Sequence, residues 1–148
     1  MDTPEPSGRA CLSEFEDRVA INDVLARYAD GVNRRDSNLW SNCWDEYGSW
    51  SLSHEHVVVG RAAIVEKWLK VMADCPHVTM FAMQGGIVIS GDRADGMSYS
   101  NEIIQMRNGK EFQVAGEYAD QYLRRDQQWF FSARRFTQRR ICAVSNGR

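Results

Sequence analysis

The chain has 148 residues, of which 43% are hydrophobic and 26% are charged, and its formal net charge is −2. These values are ordinary for one soluble globular domain with a single core. They give no case for nucleic-acid binding, and no segment approaches the roughly 20 apolar residues of a membrane helix.

Both ends of the chain are predicted to be tails. Residues 1–13 contain two of the three prolines and lack the apolar stretch of a signal peptide, so we predict a flexible tail and a cytoplasmic protein. The folded domain is predicted to span residues 14–141, followed by a short tail over 142–148. The four cysteines form no C-x-x-C pair, which indicates free thiols, although Cys11 and Cys142 could pair under oxidation.

The first predicted helix carries the residues around which the chain is organised. Ser13 and Glu16 form a capping box, and the helix runs to about Asn33. Its apolar residues recur at helical spacing: Ile21, Val24, Leu25, Tyr28, Ala29 and Val32. Because Tyr28 and Asn33 are polar and lie on or beside this stripe, each of them either packs in the core or lines a pocket.

Two further helices and an extended segment are predicted to follow. The second helix carries Trp40 and Trp44 and ends at Gly48. Residues 50–59 alternate and end in a β-branched run, which predicts one or two short strands. A third helix is predicted over 61–73, and Pro76 ends it.

The second half of the chain predicts an antiparallel meander. The strand candidates are residues 78–83, 86–89, 96–106, 111–124 and 129–139. The turn signals between them are Gly85-Gly86, Gly91-Asp92, Asn108-Gly109 and Asp126-Gln127. Helices followed by strands define an α+β class, in which N-terminal helices pack into a curved antiparallel sheet. Such a cone-shaped barrel has an open end that forms a natural pocket.

The ordered series YADGVNRRD, WDEYGSW, GRAAIVEKW, ISGDRADG, GEYADQYLRRDQQW and RRF resembles the SnoaL-like branch of the nuclear-transport-factor-2-like superfamily. The resemblance runs from about Arg18 to Arg140. Within the branch, the sequence is similar to scytalone dehydratase, bile-acid 7-alpha-dehydratase and hexachlorocyclohexane dehydrochlorinase. The resemblance implies a cystatin-like cone with an apolar pocket, no metal, no cofactor, and a homodimer or homotrimer.

The resemblance also implies where a site would lie. In the dehydratases a tyrosine of the first helix lies in the pocket, and here that position is Tyr28. The family's aspartate and histidine fall at Asn33 and Met80, which cannot exchange a proton at any useful pH. The family's arginine near the last strand falls at Gln138, or at Arg139 with a shift of one residue.

Each catalytic candidate has a structural alternative. Tyr28 is either a general acid or hydrogen-bond donor, or a core tyrosine. Asn33 either orients a substrate oxygen or caps the helix. By the family parallel, Tyr118 and Asp120 point inward. Asp120 is then an acid/base residue or the partner of an arginine in the last strand. Glu102 is a base candidate if its strand turns it inward.

The histidines are further candidates. His77 lies three residues before Met80, so on a regular strand it faces the other way unless a bulge reverses it. His54 and His56 share one face of a strand, as two metal ligands would. No third ligand has suitable spacing, so we predict that both lie on the surface.

We therefore predict a small, cofactor-free lyase, isomerase or cyclase that acts on an apolar, oxygenated ring compound such as a polyketide, steroid or terpenoid. The predicted catalytic residues are Tyr28, Asn33 and Asp120. The predicted substrate-binding residues are Val32, Trp50, Leu52, Met80, Met83, Asn101, Tyr118 and Arg139. The alternative is a non-catalytic binding or accessory module that has lost the Asp–His pair.

Overall fold

The computed structural model describes residues 8–53 and 56–144, with side chains from Ser13 onward. The helices are α1 (Gly8–Arg34), α2 (Ser37–Ser41) and α3 (Arg61–Asp74). The strands are β1 (Trp44–Leu52), β2 (Val58–Val59), β3 (His77–Ser90), β4 (Arg93–Gln105), β5 (Glu111–Arg125) and β6 (Gln128–Ala143). The described strands form one sheet in the order β2-β1-β6-β5-β4-β3, in which β1 and β6 run parallel and the other pairs are antiparallel.

The helices pack on one face of a curved sheet. Helix α1 contacts β3 and β6, whereas α3 contacts β1 and β2. The described edge strands β2 and β3 do not pair with each other, so the sheet remains an open cone. This arrangement confirms the predicted α+β class. None of the helices in the described ranges is long and apolar enough to cross a membrane.

Aromatic side chains fill the core between the helices and the sheet. Trp40 stacks on Trp68 with ring centroids 4.8 Å apart, and it also contacts Tyr28 at 5.3 Å and Trp50 at 5.5 Å. Each such pair adds about 0.5–1.5 kcal/mol beyond the burial of its area. The cluster therefore fixes the relative positions of all three helices and β1.

The predicted second helix is wrong in its C-terminal half. Helix α2 ends at Ser41, Trp44 begins β1, and Gly48 lies within that strand. Strand pairing decides this, because the backbone of Trp44 pairs with Phe131 of β6 and the two rings lie 5.8 Å apart. The Gly48 carbonyl then accepts a hydrogen bond from the Gly60 amide at 2.7 Å, just before α3.

Three of the four predicted turns are confirmed, and the turn at Gly85-Gly86 is wrong. Both glycines lie inside β3, where the register with β4 shifts between Gln84 and Ile87. A β-carbon on Gly85 would lie only 2.8 Å from the Met97 carbonyl oxygen. The glycine pair therefore permits a close strand approach at a bulge, rather than a reversal of the chain.

The predicted capping box is also wrong, because Ser13 lies inside α1, which begins at Gly8. Residues 1–7 of the predicted N-terminal tail and residues 145–148 of the C-terminal tail lie outside the described ranges, so the domain limits 14–141 stay a prediction. Cys43, Cys75 and Cys142 are free thiols. The side chain of Cys11 lies outside the described part.

We expect Gly31→Ala to lower the free energy of unfolding by about 1–3 kcal/mol, because its β-carbon would lie 2.7 Å from the Trp40 β-carbon. Alanine favours a helix by about 1 kcal/mol over glycine. A net loss of stability would therefore come from the steric clash with Trp40. Urea denaturation measures it. Gly86→Ala is the control, since no atom lies within 4 Å of its β-carbon. Equal stability of both variants would contradict the close α1–α2 contact.

Candidate functional site

A cavity of about 440 Å³ opens between α1, α3 and the inner face of the sheet. This volume lies within the range of small-molecule sites. Most of its wall is apolar, and the described polar or titratable lining residues are Tyr28, Ser53, Cys75, Glu102, Tyr118 and Gln138. No lysine, arginine or histidine lines it within the described ranges. The cavity therefore suits an uncharged, largely apolar ligand.

A larger groove of about 700 Å³ lies on the other side of the sheet. It is lined by exposed residues such as Asp95, Gln121 and Arg135, together with small side chains. The groove also borders Asp120 and Arg134, whose side chains are fully buried and paired with each other. Its other ionisable side chains, Asp95 and Arg135, stand in solvent, where burial does not alter their reactivity. The smaller cavity is lined by buried titratable groups that are not bound in such an ion pair, and it is therefore the candidate site.

Glu102 reaches the cavity from β4. Its backbone pairs with Met80 of β3, and both side chains line the cavity wall. Burial raises the pKa of the Glu102 carboxyl above its ordinary value, although a long 3.5 Å contact from the Ser100 hydroxyl and the charge of Arg134 act in the opposite direction. A carboxyl with a raised pKa can accept and return a proton closer to neutral pH.

Two phenols stand beside this carboxyl. Tyr28 of α1 and Tyr118 of β5 are both buried, and their ring centroids lie 6.5 Å apart in an edge-to-face arrangement. Burial raises the pKa of Tyr28 to about 12, an effect that Arg134 and the Tyr118 hydroxyl partly offset. Burial also raises the pKa of Tyr118 well above its ordinary value. Both residues are therefore neutral hydrogen-bond donors at physiological pH.

A buried ion pair lies behind the phenols. Arg134 Nε donates to Asp120 Oδ1 at 2.8 Å, and Nη2 donates to Asp120 Oδ2 at 3.1 Å and to Ser98 Oγ at 2.8 Å. The Ser98 hydroxyl in turn donates to Asp120 Oδ2 at 2.7 Å. The Arg134 guanidinium lies over both phenol rings, 3.8 Å from the Tyr118 centroid and 4.3 Å from the Tyr28 centroid. Asp120 is thus the partner of an arginine in the last strand.

Asn33 is held by the backbone of β3. Its Oδ1 accepts from the Met80 amide at 2.7 Å, and its Nδ2 donates to the Met80 carbonyl at 2.9 Å. Asn33 does not line the cavity, and it does not cap α1, because the residue with positive φ after the helix is Arg35 (φ 55°). The amide instead fastens the end of α1 to the strand that carries Met80.

The remaining predicted site residues fall into two groups, those that line the cavity and those that lie outside it. Residues that line the cavity with Tyr28 are Val32, Trp50, Leu52, Met80 and Tyr118. Three others lie outside the cavity. The Met83 side chain is 64% exposed, Asn101 accepts a hydrogen bond from Gln113, and Arg139 forms an ion pair with Glu117 at 3.0 Å.

Of the two positions considered for the family arginine, Gln138 lines the cavity and Arg139 faces away from it. His77 and His56 are exposed, and His54 lies outside the described residues. Within those residues, no group of three or more His, Cys, Asp or Glu side chains is arranged to hold a metal ion.

Sequence reasoning leaves Glu102 conditional because the pattern of β4 is inverted, and it does not identify Arg134 of β6 as the arginine that pairs with Asp120. On this strand the inward residues are Ala94, Gly96, Ser98, Ser100 and Glu102, whereas the outward residues include Met97, Tyr99 and Ile103. Hydrophobic alternation alone therefore predicts the wrong inner face. Two small residues of β4, Ala94 and Ser98, lie opposite Tyr122 and Tyr118 of β5. They indicate the correct inner face, because they leave room for the two large rings.

Comparisons with known proteins place this geometry in a family. The model of the SnoaL-like domain matches residues 13–135, so the chain belongs to the SnoaL-like domain family. No curated protein matches the chain.

Several solved structures share the fold. A type 2 hexachlorocyclohexane dehydrochlorinase is 17% identical, with a TM-score of 0.85 over 91% of this chain and 93% of that one. A protein provisionally assigned as a scytalone dehydratase from Novosphingobium aromaticivorans is 16% identical, with a TM-score of 0.81 over 89% and 90%. A protein provisionally assigned as a dehydratase of the NTF2-like family from Streptomyces avermitilis is 14% identical, with a TM-score of 0.73 over 83% and 96%.

We expect Asn33→Asp to lower the free energy of unfolding by about 1–3 kcal/mol, because a carboxylate oxygen would replace the donor that faces the Met80 carbonyl. The loss should shrink near and below pH 3.9, the ordinary aspartate pKa, where a protonated carboxyl donates again. Urea denaturation at several pH values measures this, and Asn101→Asp on the exposed face is the control. Unchanged stability at pH 7 would contradict the bridge to Met80.

We expect Glu102→Gln to stabilise the protein at neutral pH but not at pH 4. The folded state raises the pKa of Glu102, so the native protein binds this proton more tightly than the unfolded chain does. Stability of the parent therefore falls as pH rises from the ordinary pKa of 4.5 to the raised pKa of the folded state. The fall is about 1.4 kcal/mol for each pH unit between these two values. The Glu102→Gln variant has no carboxyl at this position, so its stability does not fall in this pH range for this reason.

Urea denaturation at pH 4, 6 and 8 tests this prediction. Glu46→Gln, at an exposed position of β1, controls for the loss of one carboxyl. A stability difference between Glu102→Gln and the parent that does not grow with pH would contradict the burial of this carboxyl.

Proposed function

We propose that the protein is a lyase-type enzyme that eliminates a leaving group from an apolar, uncharged ring compound bearing oxygen. One observation carries the proposal: Glu102 is the sole carboxyl among the described cavity-lining residues, and it stands beside two phenol donors in a largely apolar cavity. The similar structures include a dehydrochlorinase and two provisional dehydratases, which supports an elimination.

The proposed reaction assigns one role to each group. The Glu102 carboxylate removes a proton from the carbon beside a ring carbonyl, and the electron pair moves to the carbonyl oxygen. The Tyr28 hydroxyl donates to that oxygen and stabilises its developing negative charge. The electron pair then returns, the carbon–oxygen bond to a hydroxyl on the next carbon breaks, and Glu102 gives its proton to the departing hydroxide, which leaves as water.

This proposal moves the base from Asp120 to Glu102. The carboxylate of Asp120 is occupied by Arg134, Ser98 and a longer contact from Tyr122, and it does not line the cavity. Asn33 likewise holds the backbone and makes no contact with the cavity. Of the three predicted catalytic residues, Tyr28 therefore keeps a direct role.

The second candidate is a binding module without catalysis. It is favoured by Asn33 and Met80, which replace the family's proton-transfer pair and are engaged with each other through a backbone bridge. In that case the cavity would bind the ring compound and leave it unchanged. The predicted assembly into a homodimer or homotrimer and the cytoplasmic location stay proposals in either case.

Turnover of 3-hydroxy-1-tetralone tests the proposal, since loss of water from this bicyclic hydroxy-ketone yields 1-naphthol, which is followed by absorbance. We expect the parent to accelerate the reaction, and we expect Glu102→Gln to reduce kcat by about 10²–10⁴-fold because it removes the base. Tyr28→Phe should cost about tenfold or more in kcat, because it removes one donor to the developing charge.

Glu117→Gln is the matched control, because this glutamate is on the neighbouring strand β5 but pairs with Arg139 away from the cavity. It should retain parental turnover. A Glu102→Gln variant as active as the parent would contradict the assigned base. Binding of the compound by the parent with no turnover would instead support the binding module.

A further inference from the structure

We propose that Arg134, held by Asp120, is a positioning residue that makes Tyr28 and Tyr118 stronger hydrogen-bond donors toward a ligand oxygen in the cavity. The inference rests on the proposed role of these phenols as donors. It adds a part of the site that touches neither ligand nor solvent and acts through the two rings.

The charge of Arg134 is placed where it acts on both phenols. The guanidinium carbon lies 3.8 Å and 4.3 Å from the centroids of Tyr118 and Tyr28, and 4.2 Å from that of Phe131. A cation over a ring face attracts the π electrons. In a phenol this draws electron density from the oxygen, so the hydroxyl donates more strongly and its oxygen better tolerates negative charge.

The ion pair does not use the whole guanidinium. The side chains of Arg134 and Asp120 are fully buried, and Nε and Nη2 are both hydrogen-bonded. Nη1 is buried and has no hydrogen-bond partner among the described residues. Leaving a charged donor unpaired in this way costs stability, and a purely structural pair would be expected to satisfy it. The unpaired edge leaves positive potential directed at the aromatic rings that surround it.

The chain offers an ion pair of similar chemistry that lies away from the cavity. Arg124 pairs with Asp17 at 2.8 Å, and its guanidinium lies 5.3 Å from the centroid of the Trp129 ring. None of these three residues lines the cavity. Arg124→Met therefore removes a cation from an aromatic face without touching the proposed donors.

The test compares two ring probes of nearly the same shape. 1-Tetralone carries a carbonyl oxygen, and tetralin lacks it. We expect the parent to bind tetralone more tightly than tetralin in calorimetric titrations. The double variant Asp120→Leu/Arg134→Met fills the core with apolar groups, a replacement of buried ion pairs that is often neutral or stabilising. It should weaken tetralone binding about fivefold, the scale of one hydrogen bond, and leave tetralin binding unchanged.

Two further measurements separate a positioning role from a structural one. In a Tyr28→Phe/Tyr118→Phe background, the same double variant should cause no further loss for tetralone, because the charge acts through the phenols. Arg124→Met should leave both affinities at the parental level. Asp120→Asn/Arg134→Gln removes both charges but keeps groups that can hydrogen-bond to each other. It should weaken tetralone binding in the same way, leave tetralin binding unchanged, and serves if the first double variant does not fold.

Equal weakening of both probes, or an unchanged preference for tetralone in the double variant, would overturn the inference. So would a parent that shows no preference for tetralone. These readouts need no turnover, so a protein that binds tetralone selectively through Arg134 but does not dehydrate the hydroxy-ketone would overturn the proposed reaction alone.

Discussion

The buried charge of Arg134 constrains the arrangement of the whole inner face. A guanidinium removed from water must be paired, and breaking such a pair costs about 3–5 kcal/mol. Asp120 supplies the pair from β5, Ser98 bridges the two from β4, and Arg134 itself belongs to β6. The pair therefore holds three neighbouring strands in one register, and its position decides which rings can stand in front of it.

The cavity follows from that constraint together with two others. The phenols of Tyr28 and Tyr118 cover the guanidinium and separate it from the ligand space, so the cavity is lined by neutral donors and one carboxyl. The bridge from Asn33 to Met80 fixes the end of α1 against β3. Because Met80 pairs with Glu102, the same bridge fixes the wall from which the carboxyl projects.

Part of this architecture could be predicted from local chemistry. The Asn108-Gly109 and Gly91-Asp92 signals indicated hairpins because few other residues adopt positive φ without strain, and Gly91 and Gly109 do adopt it. The inward face of β5 is predicted by the family resemblance rather than by local chemistry, and Tyr118 and Asp120 are both buried. Tyr28 is predicted to pack in the core or line a pocket because it is a polar residue on the apolar stripe of a helix.

Other parts depend on long-range pairing that no local pattern contains. Trp44 has helical spacing from Trp40, yet it joins a strand because β6 lies beside it. Asn33 resembles a helix cap or a ligand contact until its partner, 47 residues away, is known. The direction of Glu102 depends on the pairing of β4 with β5, in which Glu102 lies opposite Val114, another residue that lines the cavity.

A crystal structure with 1-tetralone bound tests the central claim most directly, because it locates the ligand oxygen relative to Tyr28, Tyr118 and Glu102. We predict that the ring lies in the 440 Å³ cavity, with its carbonyl oxygen within hydrogen-bond distance of the Tyr28 hydroxyl and the adjacent carbon facing the Glu102 carboxyl. A ring seated in the groove on the other side of the sheet, or a carbonyl turned away from both Tyr28 and Glu102, would contradict it.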